Sequence, residues 1–203
     1  SKGISPLSGN HADEDEENDH DKNNNDHHHH NHGTDAHMWL DPVLAQQEVN
    51  NIAEALSGVD PQNAEYYRQN AARYNAELAK LDEEYRVALK NTARRDIITS
   101  HEAFGYLAKR YDLQQIGIMG LAPDSEPTPD KMAKVIKFCR EHNVKYIFFE
   151  TLVSPKLSET IARETGAGLL VLNPLESLSE DEIKQGKNYV SVMRDNLANL
   201  KQA

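Results

Sequence analysis

The sequence predicts an α/β fold, namely a four-stranded parallel sheet with helices on both faces, preceded by a long helix. From Asp96 onward, four short apolar runs alternate with segments of helical length and spacing. Upstream of them lies one long stretch with purely helical periodicity. The chain has 203 residues, of which 38% are hydrophobic, enough for one full domain and some further structure but short for two.

The first segment is acidic and rich in histidine. Residues 11–32 carry seven of the ten histidines and eight acidic residues against one Lys, with no apolar side chain larger than Ala12. A segment of this composition buries too little apolar surface to offset the conformational entropy lost on ordering, so residues 1–33 are predicted to form a flexible loop. Its histidines are candidates for an accessory metal-collecting segment: His11, His20, His27, His28, His29, His30 and His32.

Two helices are predicted next. Asp41-Pro42 is typical of a helix start, which predicts a helix from Pro42 to Leu56 that closes at Ser57-Gly58. Asp60 as the cap predicts a longer helix from Pro61 to Lys90, within a linking segment 60–91. Its single narrow apolar stripe favours a spine along a domain, and a coiled coil is the alternative interpretation.

The remaining chain, residues 94–203, alternates strands and helices. The predicted strands are Asp96–Thr99, Leu113–Met119, Val144–Phe149 and Leu169–Leu172. The predicted helices are Glu102–Tyr111, Pro129–His142, Pro155–Thr165 and Ile183–Leu200. Because ligands of open α/β sheets bind beyond the carboxyl ends of the strands, we look for functional residues there.

Polar residues follow each predicted strand: Ser100-His101, Glu126, Glu150 and Asn173. His101 is either a metal ligand or a cap of the following helix. His37 stands beside the single Trp39, before a rigid helix start, and is either a fixed ligand or a half-buried turn residue. A string of imidazoles nearby would raise the local concentration of metal ligands.

Charge and motifs exclude several function classes. The 22 Lys and Arg against 33 Asp and Glu give a net charge of −11, which argues against binding nucleic acid. Cys139 is the single cysteine, so neither a disulfide framework nor a thiolate zinc site is expected. His101-Glu102 lacks the second histidine of a metalloprotease motif because Gly105 stands there, and no catalytic base is evident, so no enzyme is predicted.

Several motifs in this order resemble those of zinc-specific substrate-binding proteins of ABC importers, the ZnuA/AdcA-like adhesin lipoproteins. They are the acidic His-rich segment, DAHMWLDP at 35–42, TSHEAFGYL at 99–107, GLAPDSEP at 120–127 and Phe149-Glu150. The resemblance implies two α/β lobes joined by the long helix of residues 60–91, with metal held between them. Residues 34–58 would then be the remnant of a second α/β lobe, the end of the N-terminal one, and residues 94–203 would form the C-terminal lobe. The rest of the N-terminal lobe, including the strand that carries the family's first histidine ligand, would lie outside these 203 residues.

The resemblance also implies the ligand set. His37 and His101 match two histidine ligands of the family, and Asn173 falls where many relatives place an aspartate ligand. A neutral amide binds zinc poorly, so water is expected in that place. Trp39, Glu126 and Glu150 are candidates for residues that support the ligands.

The resemblance therefore implies a non-enzymatic, extracytoplasmic protein, either a cell-surface lipoprotein or periplasmic, that captures Zn²⁺ and delivers it to the permease of an ABC importer. Imidazole ligands favour Zn²⁺ over Mn²⁺. The alternatives are a manganese or nickel protein of the same importer class, a surface adhesion module with incidental metal binding, and a zinc-dependent enzyme. Self-association of the chain is a further expectation.

Overall fold

The central feature of the fold is a sheet in the C-terminal half of the chain. The computed structural model describes residues 3–8, 34–121, 127–152 and 154–203. Four parallel strands form a sheet in the order β4-β3-β5-β6, which confirms the predicted four-stranded parallel sheet. They are β3 (Asp96–Thr99), β4 (Gln114–Gly117), β5 (Tyr146–Phe149) and β6 (Gly168–Val171).

Helices cover both faces of this sheet, as predicted. They include α2 (Ala64–Leu89), α3 (Gly105–Arg110), α4 (Pro129–Glu141), α5 (Lys156–Thr165) and α7 (Tyr189–Gln202). Ile97 and Phe148 point into a core shared with α2, α3 and α7, whereas their neighbours Ile98 and Ile147 point into a second core shared with α4 and α5. Successive strand residues face opposite sides, so apolar pairs in β3 and β5 build two cores at once.

The helices before the sheet differ from prediction at their ends. Helix α1 (Pro42–Val59) continues through Gly58, and the amide of Asp60 still donates to the carbonyl of Leu56 at 2.9 Å. The long helix begins at Ala64, after a 3₁₀ turn over Pro61–Asn63. Asp60 precedes that turn, and its carboxylate accepts hydrogen bonds from the side chains of Asn63 and Tyr67 at 2.8 Å each.

Two further predicted helices are corrected. Helix α3 begins three residues later than expected, because the amide of Glu102 donates to the carbonyl of Gly120 and the carbonyl of His101 accepts from the Thr99 hydroxyl. The predicted last helix is two helices, α6 (Glu180–Lys184) and α7, separated by a segment with Gly186 at φ +69°. Strand ends deviate from prediction by one or two residues, which is normal at frayed ends.

A small antiparallel pair lies before the first helix. β1 (Leu7–Ser8) pairs with β2 (Thr34–Asp35), with Leu7 opposite Asp35. The predicted flexible segment 1–33 thus contains a paired strand, while its residues 1–2 and 9–33 lie outside the described residues. Within the described ranges, no helix combines the length and hydropathy needed to cross a bilayer. The predicted division into lobes and linker stays a prediction.

Candidate metal centre

His37 is held in place by the segment that joins β2 to α1. The Asp35 carboxylate accepts from the backbone amide of His37 at 2.9 Å and lies 2.8 Å from its Nδ1. The Asp41 side chain caps α1 through the amides of Val43 and Leu44, so the chain on the far side of His37 is also fixed. Because Asp35 occupies Nδ1, the other ring nitrogen, Nε2, is free to face a ligand.

His101 stands just past the carboxyl end of β3, as predicted, and is fully buried. Its Nδ1 lies 2.6 Å from Oε1 of Glu150, which follows β5. The strands β3 and β5 are neighbours with Thr99 opposite Phe148, so the two residues that follow them meet at one edge of the sheet. Nε2 of His101 is buried and has no hydrogen-bond partner among the described residues.

Glu176 completes the cluster, and the sequence argument missed it. Its Oε1 lies 3.2 Å from Nε2 of His37 and 3.6 Å from Nε2 of His101. These three side chains form the one group of potential metal ligands found among the described residues, with ligand atoms within 4.8 Å of one another. An available signal was its chemistry, since Glu176 is the first acidic residue after β6 and lies three residues beyond Asn173.

The geometry suits a tetrahedral zinc ion. Imidazole nitrogen and carboxylate oxygen bind zinc at about 2.0–2.2 Å, which puts neighbouring tetrahedral ligands roughly 3.3 Å apart. The two distances from Glu176 Oε1 to the imidazoles, 3.2 and 3.6 Å, lie on either side of that value. Each Nδ1 faces a carboxylate, which fixes the tautomer in which Nδ1 carries the hydrogen and Nε2 carries the lone pair. Zinc-bound histidines usually donate their other ring N–H to such a partner. A metal would also satisfy the buried Nε2 of His101.

The carboxylates around His37 change its pKa. Burial alone would lower the pKa of His37, but the hydrogen bonds to Asp35 and Glu176 and their negative charges outweigh it, and the pKa stands above 6.5. The site therefore favours positive charge at this ring, whether a proton or a metal ion supplies it.

The other predicted residues have different positions. Trp39 contacts the His37 ring with centroids 5.3 Å apart, and its Nε1 donates to the carbonyl of Pro174 at 2.9 Å. The Asn173 side chain accepts from the amide of Leu175 and donates to Glu182. Glu126 and the histidines of residues 11–32 lie outside the described residues.

Sequence comparison with known proteins identifies relatives of this chain. The family model described as "Zinc-uptake complex component A periplasmic" (ZnuA) matches residues 1–203. The high-affinity zinc uptake system protein ZnuA of Bacillus subtilis is 48% identical over 167 residues, covering 82% of this chain and 52% of that protein. The zinc-binding lipoprotein AdcA of Streptococcus pneumoniae is 42% identical over 168 residues, 83% of this chain and 34% of that protein.

Solved structures of related proteins superpose on this chain. The laminin-binding protein Lbp of Streptococcus pyogenes superposes with a TM-score of 0.77 at 41% identity, covering 83% of this chain and 65% of that one. The Zn(II)-bound ZnuA-like domain of Streptococcus pneumoniae AdcA superposes with a TM-score of 0.72 at 41% identity, covering 83% and 63%. The chain thus spans about half of the first relative's length and about a third of the second's. On the match over its whole length, and on these close relatives, this chain belongs to the ZnuA family of zinc-uptake components.

Proposed function

We propose that this protein captures Zn²⁺ outside the cytoplasm and delivers it to the permease of an ABC importer, with His37, His101 and Glu176 as its ligands. The observation that carries the proposal is the buried Nε2 of His101, which has no hydrogen-bond partner among the described residues and lies 3.6 Å from Oε1 of Glu176, in a cluster to which His37 also contributes a ring nitrogen. The relatives named as zinc uptake and zinc-binding proteins support the metal and the extracytoplasmic location.

The ligand set favours zinc over the predicted alternatives. Two imidazoles and one carboxylate make a borderline donor set that suits Zn²⁺, whereas Mn²⁺ prefers sites dominated by oxygen. Nickel also binds imidazole, but it differs from zinc in preferring square-planar or octahedral geometry. We propose that no turnover accompanies binding, because the carboxylates beside the metal position are already hydrogen-bonded to the imidazoles and serve as orienting groups.

The fourth tetrahedral position is not filled by the three described ligands. We propose that water, or an imidazole from residues 11–32, fills it. If an imidazole fills this position, residues 11–32 contribute directly to zinc affinity as well as collecting metal. Deletion of residues 11–32 should then weaken zinc binding by about tenfold or more, whereas a water ligand predicts an unchanged affinity.

Isothermal titration of the 203-residue chain with Zn²⁺ in competition with a chelator tests the ligand assignment. His37→Ala, His101→Ala and Glu176→Gln should each lose affinity. His142→Ala is the matched control, because His142 stacks on Phe138 at the end of α4 and is not part of the ligand cluster. Tight binding that survives all three substitutions would refute the site and favour an adhesion module with incidental metal binding.

Delivery and assembly need separate measurements. Zinc-dependent complementation of a strain that lacks its own zinc-binding component tests delivery to the permease. Turnover of an ester in the presence of zinc would favour the enzyme alternative. Sedimentation velocity with and without zinc tests the predicted self-association.

A further inference from the structure

Glu176 reaches the site differently from the two histidines. Its side chain is 40% exposed, whereas those of His37 and His101 are buried. It stands at the end of residues 173–176, which we call the ligand arm and which leave the sheet after β6. An exposed carboxylate on a loop would ordinarily sample many positions, so something must hold it over the imidazoles.

The base of the ligand arm is fixed to helix α7. The amide of Asn173 donates to Oδ1 of Asn196 at 2.8 Å, and Nδ2 of Asn196 donates to the carbonyl of Asn173 at 2.8 Å. Both asparagines are buried, so these bonds are shielded from competing water. Oδ1 of Asn173 then accepts from the amide of Leu175 at 2.8 Å, which closes a tight bend.

This bend has an unusual backbone. Leu175 has φ +58°, in the left-handed region that leucine rarely adopts. Such a conformation persists where surrounding contacts over-determine it. Leu175 also packs against the core, and the bond from its amide to Asn173 spans the same turn. The bend directs the next residue, Glu176, back toward the imidazoles.

A second contact holds the middle of the arm. Nε1 of Trp39 donates to the carbonyl of Pro174 at 2.9 Å, and the hydroxyl of Tyr189 donates to the carbonyl of Trp39 at 2.6 Å. Trp39 lies two residues from His37, so the segment that supplies one ligand also holds the arm that supplies another.

We propose that Asn173 and Trp39 are positioning residues that hold the ligand arm in its left-handed bend, keep Glu176 across both imidazoles, and thereby set the rate at which zinc is released. This inference rests on the proposed zinc site. It assigns Asn173, the residue expected at a ligand position, a role that acts through Glu176. Loosening either contact lets the carboxylate leave the metal while both imidazoles stay in place.

Stopped-flow zinc release into an excess of a chromogenic chelator tests this on the 203-residue chain. Asn173→Ala removes the bond that closes the bend, and Trp39→Phe removes one hydrogen bond while keeping an aromatic ring beside His37. We expect each to speed zinc release by about three- to tenfold, the usual effect of one lost hydrogen bond. In the Glu176→Gln background, neither substitution should speed release further.

Asn199→Ala is the matched control. Nδ2 of Asn199 donates to the carbonyl of Val171 at 2.8 Å, so it makes the same kind of bond from the same helix to the chain just before the ligand arm. Its loss should lower the melting temperature without changing zinc release. The Co²⁺-loaded protein gives a second readout, since the visible spectra of Asn173→Ala and Glu176→Gln should shift alike from that of the unsubstituted chain.

The release rates of these variants decide whether Asn173 and Trp39 act through Glu176. If Asn173→Ala and Trp39→Phe speed release as much in the Glu176→Gln background as without it, they do not act through Glu176 and the inference is overturned. It is equally overturned if release is unchanged in both. If Asn173→Ala fails to fold, Trp39→Phe decides alone. The proposed zinc site itself fails if His37→Ala, His101→Ala and Glu176→Gln all retain full affinity.

Discussion

Replacing Glu150 with glutamine isolates the effect of a buried carboxylate on His101, a proposed zinc ligand. Glu150 is 3% exposed, its Oε1 lies 2.6 Å from Nδ1 of His101, and its Oε2 is buried with no hydrogen-bond partner among the described residues. Glutamine keeps the shape and an oxygen that accepts from Nδ1–H, but it removes the charge that makes His101 a stronger donor to metal. Loss of such an outer partner lowers metal affinity by about 10- to 100-fold, or roughly 1.4 to 2.7 kcal/mol.

Stability of the zinc-free protein should respond differently. The substitution removes a charge whose second oxygen is buried and has no hydrogen-bond partner in the described part of the chain, so we expect little or no loss in the free energy of unfolding. Chelator competition gives the zinc affinity and urea unfolding gives the stability. Glu164→Gln is the control, because that exposed carboxylate pairs with Arg140 at 3.4 Å, away from the site. Unchanged affinity in Glu150→Gln, with affinity lost in His101→Ala, would refute the orienting role.

Three other predictions concern the surroundings of the site and the packing. A Cβ at Gly105 would come within 2.9 Å of Oδ2 of Asp35, so Gly105→Ala should displace that carboxylate and weaken zinc binding in chelator competition by about tenfold while the helix remains folded. The pKa of Glu182 is lowered by hydrogen bonds from the backbone and side chain of Ser179, so its contribution to stability is present above pH 4.5 and is lost as the pH falls through its folded value. Glu182→Gln should therefore lower the free energy of unfolding at about pH 7, and this loss should shrink as the pH falls below 4.5. Burial raises the pKa of Cys139 to about 11, so a thiol reagent at about pH 8 should label the native chain far more slowly than the urea-unfolded one.

The sheet was predictable because its strands carry a clear signal. Adjacent apolar pairs such as Ile97-Ile98 and Ile147-Phe148 indicate strands buried on both faces, and parallel strands need helical crossovers that cover those faces. The order of the strands then places the residues after β3 and β5 side by side. His101 and Glu150 were accordingly located at the correct edge from sequence alone.

The errors have a common physical origin in contacts distant in sequence. Helix α3 starts late because the amide of Glu102 bonds to Gly120, and sequence spacing around residue 102 contains no sign of that partner. Glu176 was missed for the same reason. Its place depends on a left-handed turn at Leu175, held by Asn196 and Trp39 from elements far away in the chain. A leucine gives no local signal for such a turn, so the prediction stopped at Asn173, where the strand ends.

The charge around the proposed ligands would let one site attract zinc and keep its two histidines oriented. The carboxylates of Asp35, Glu150 and Glu176 converge on two imidazoles, so the site without metal has an excess of negative charge that a divalent cation offsets. Asp35 and Glu150 are buried and bind the Nδ1 atoms, where they orient the rings and cannot themselves reach the metal from the Nε2 side. Glu176 alone of these three is largely exposed and faces both Nε2 atoms. The same negative charge that favours capture would slow release if all three carboxylates were fixed equally. Because the exposed carboxylate stands on a loop held by a few hydrogen bonds, the proposed site would have one ligand able to move away while the orienting pair keeps the two imidazoles in place for the next ion.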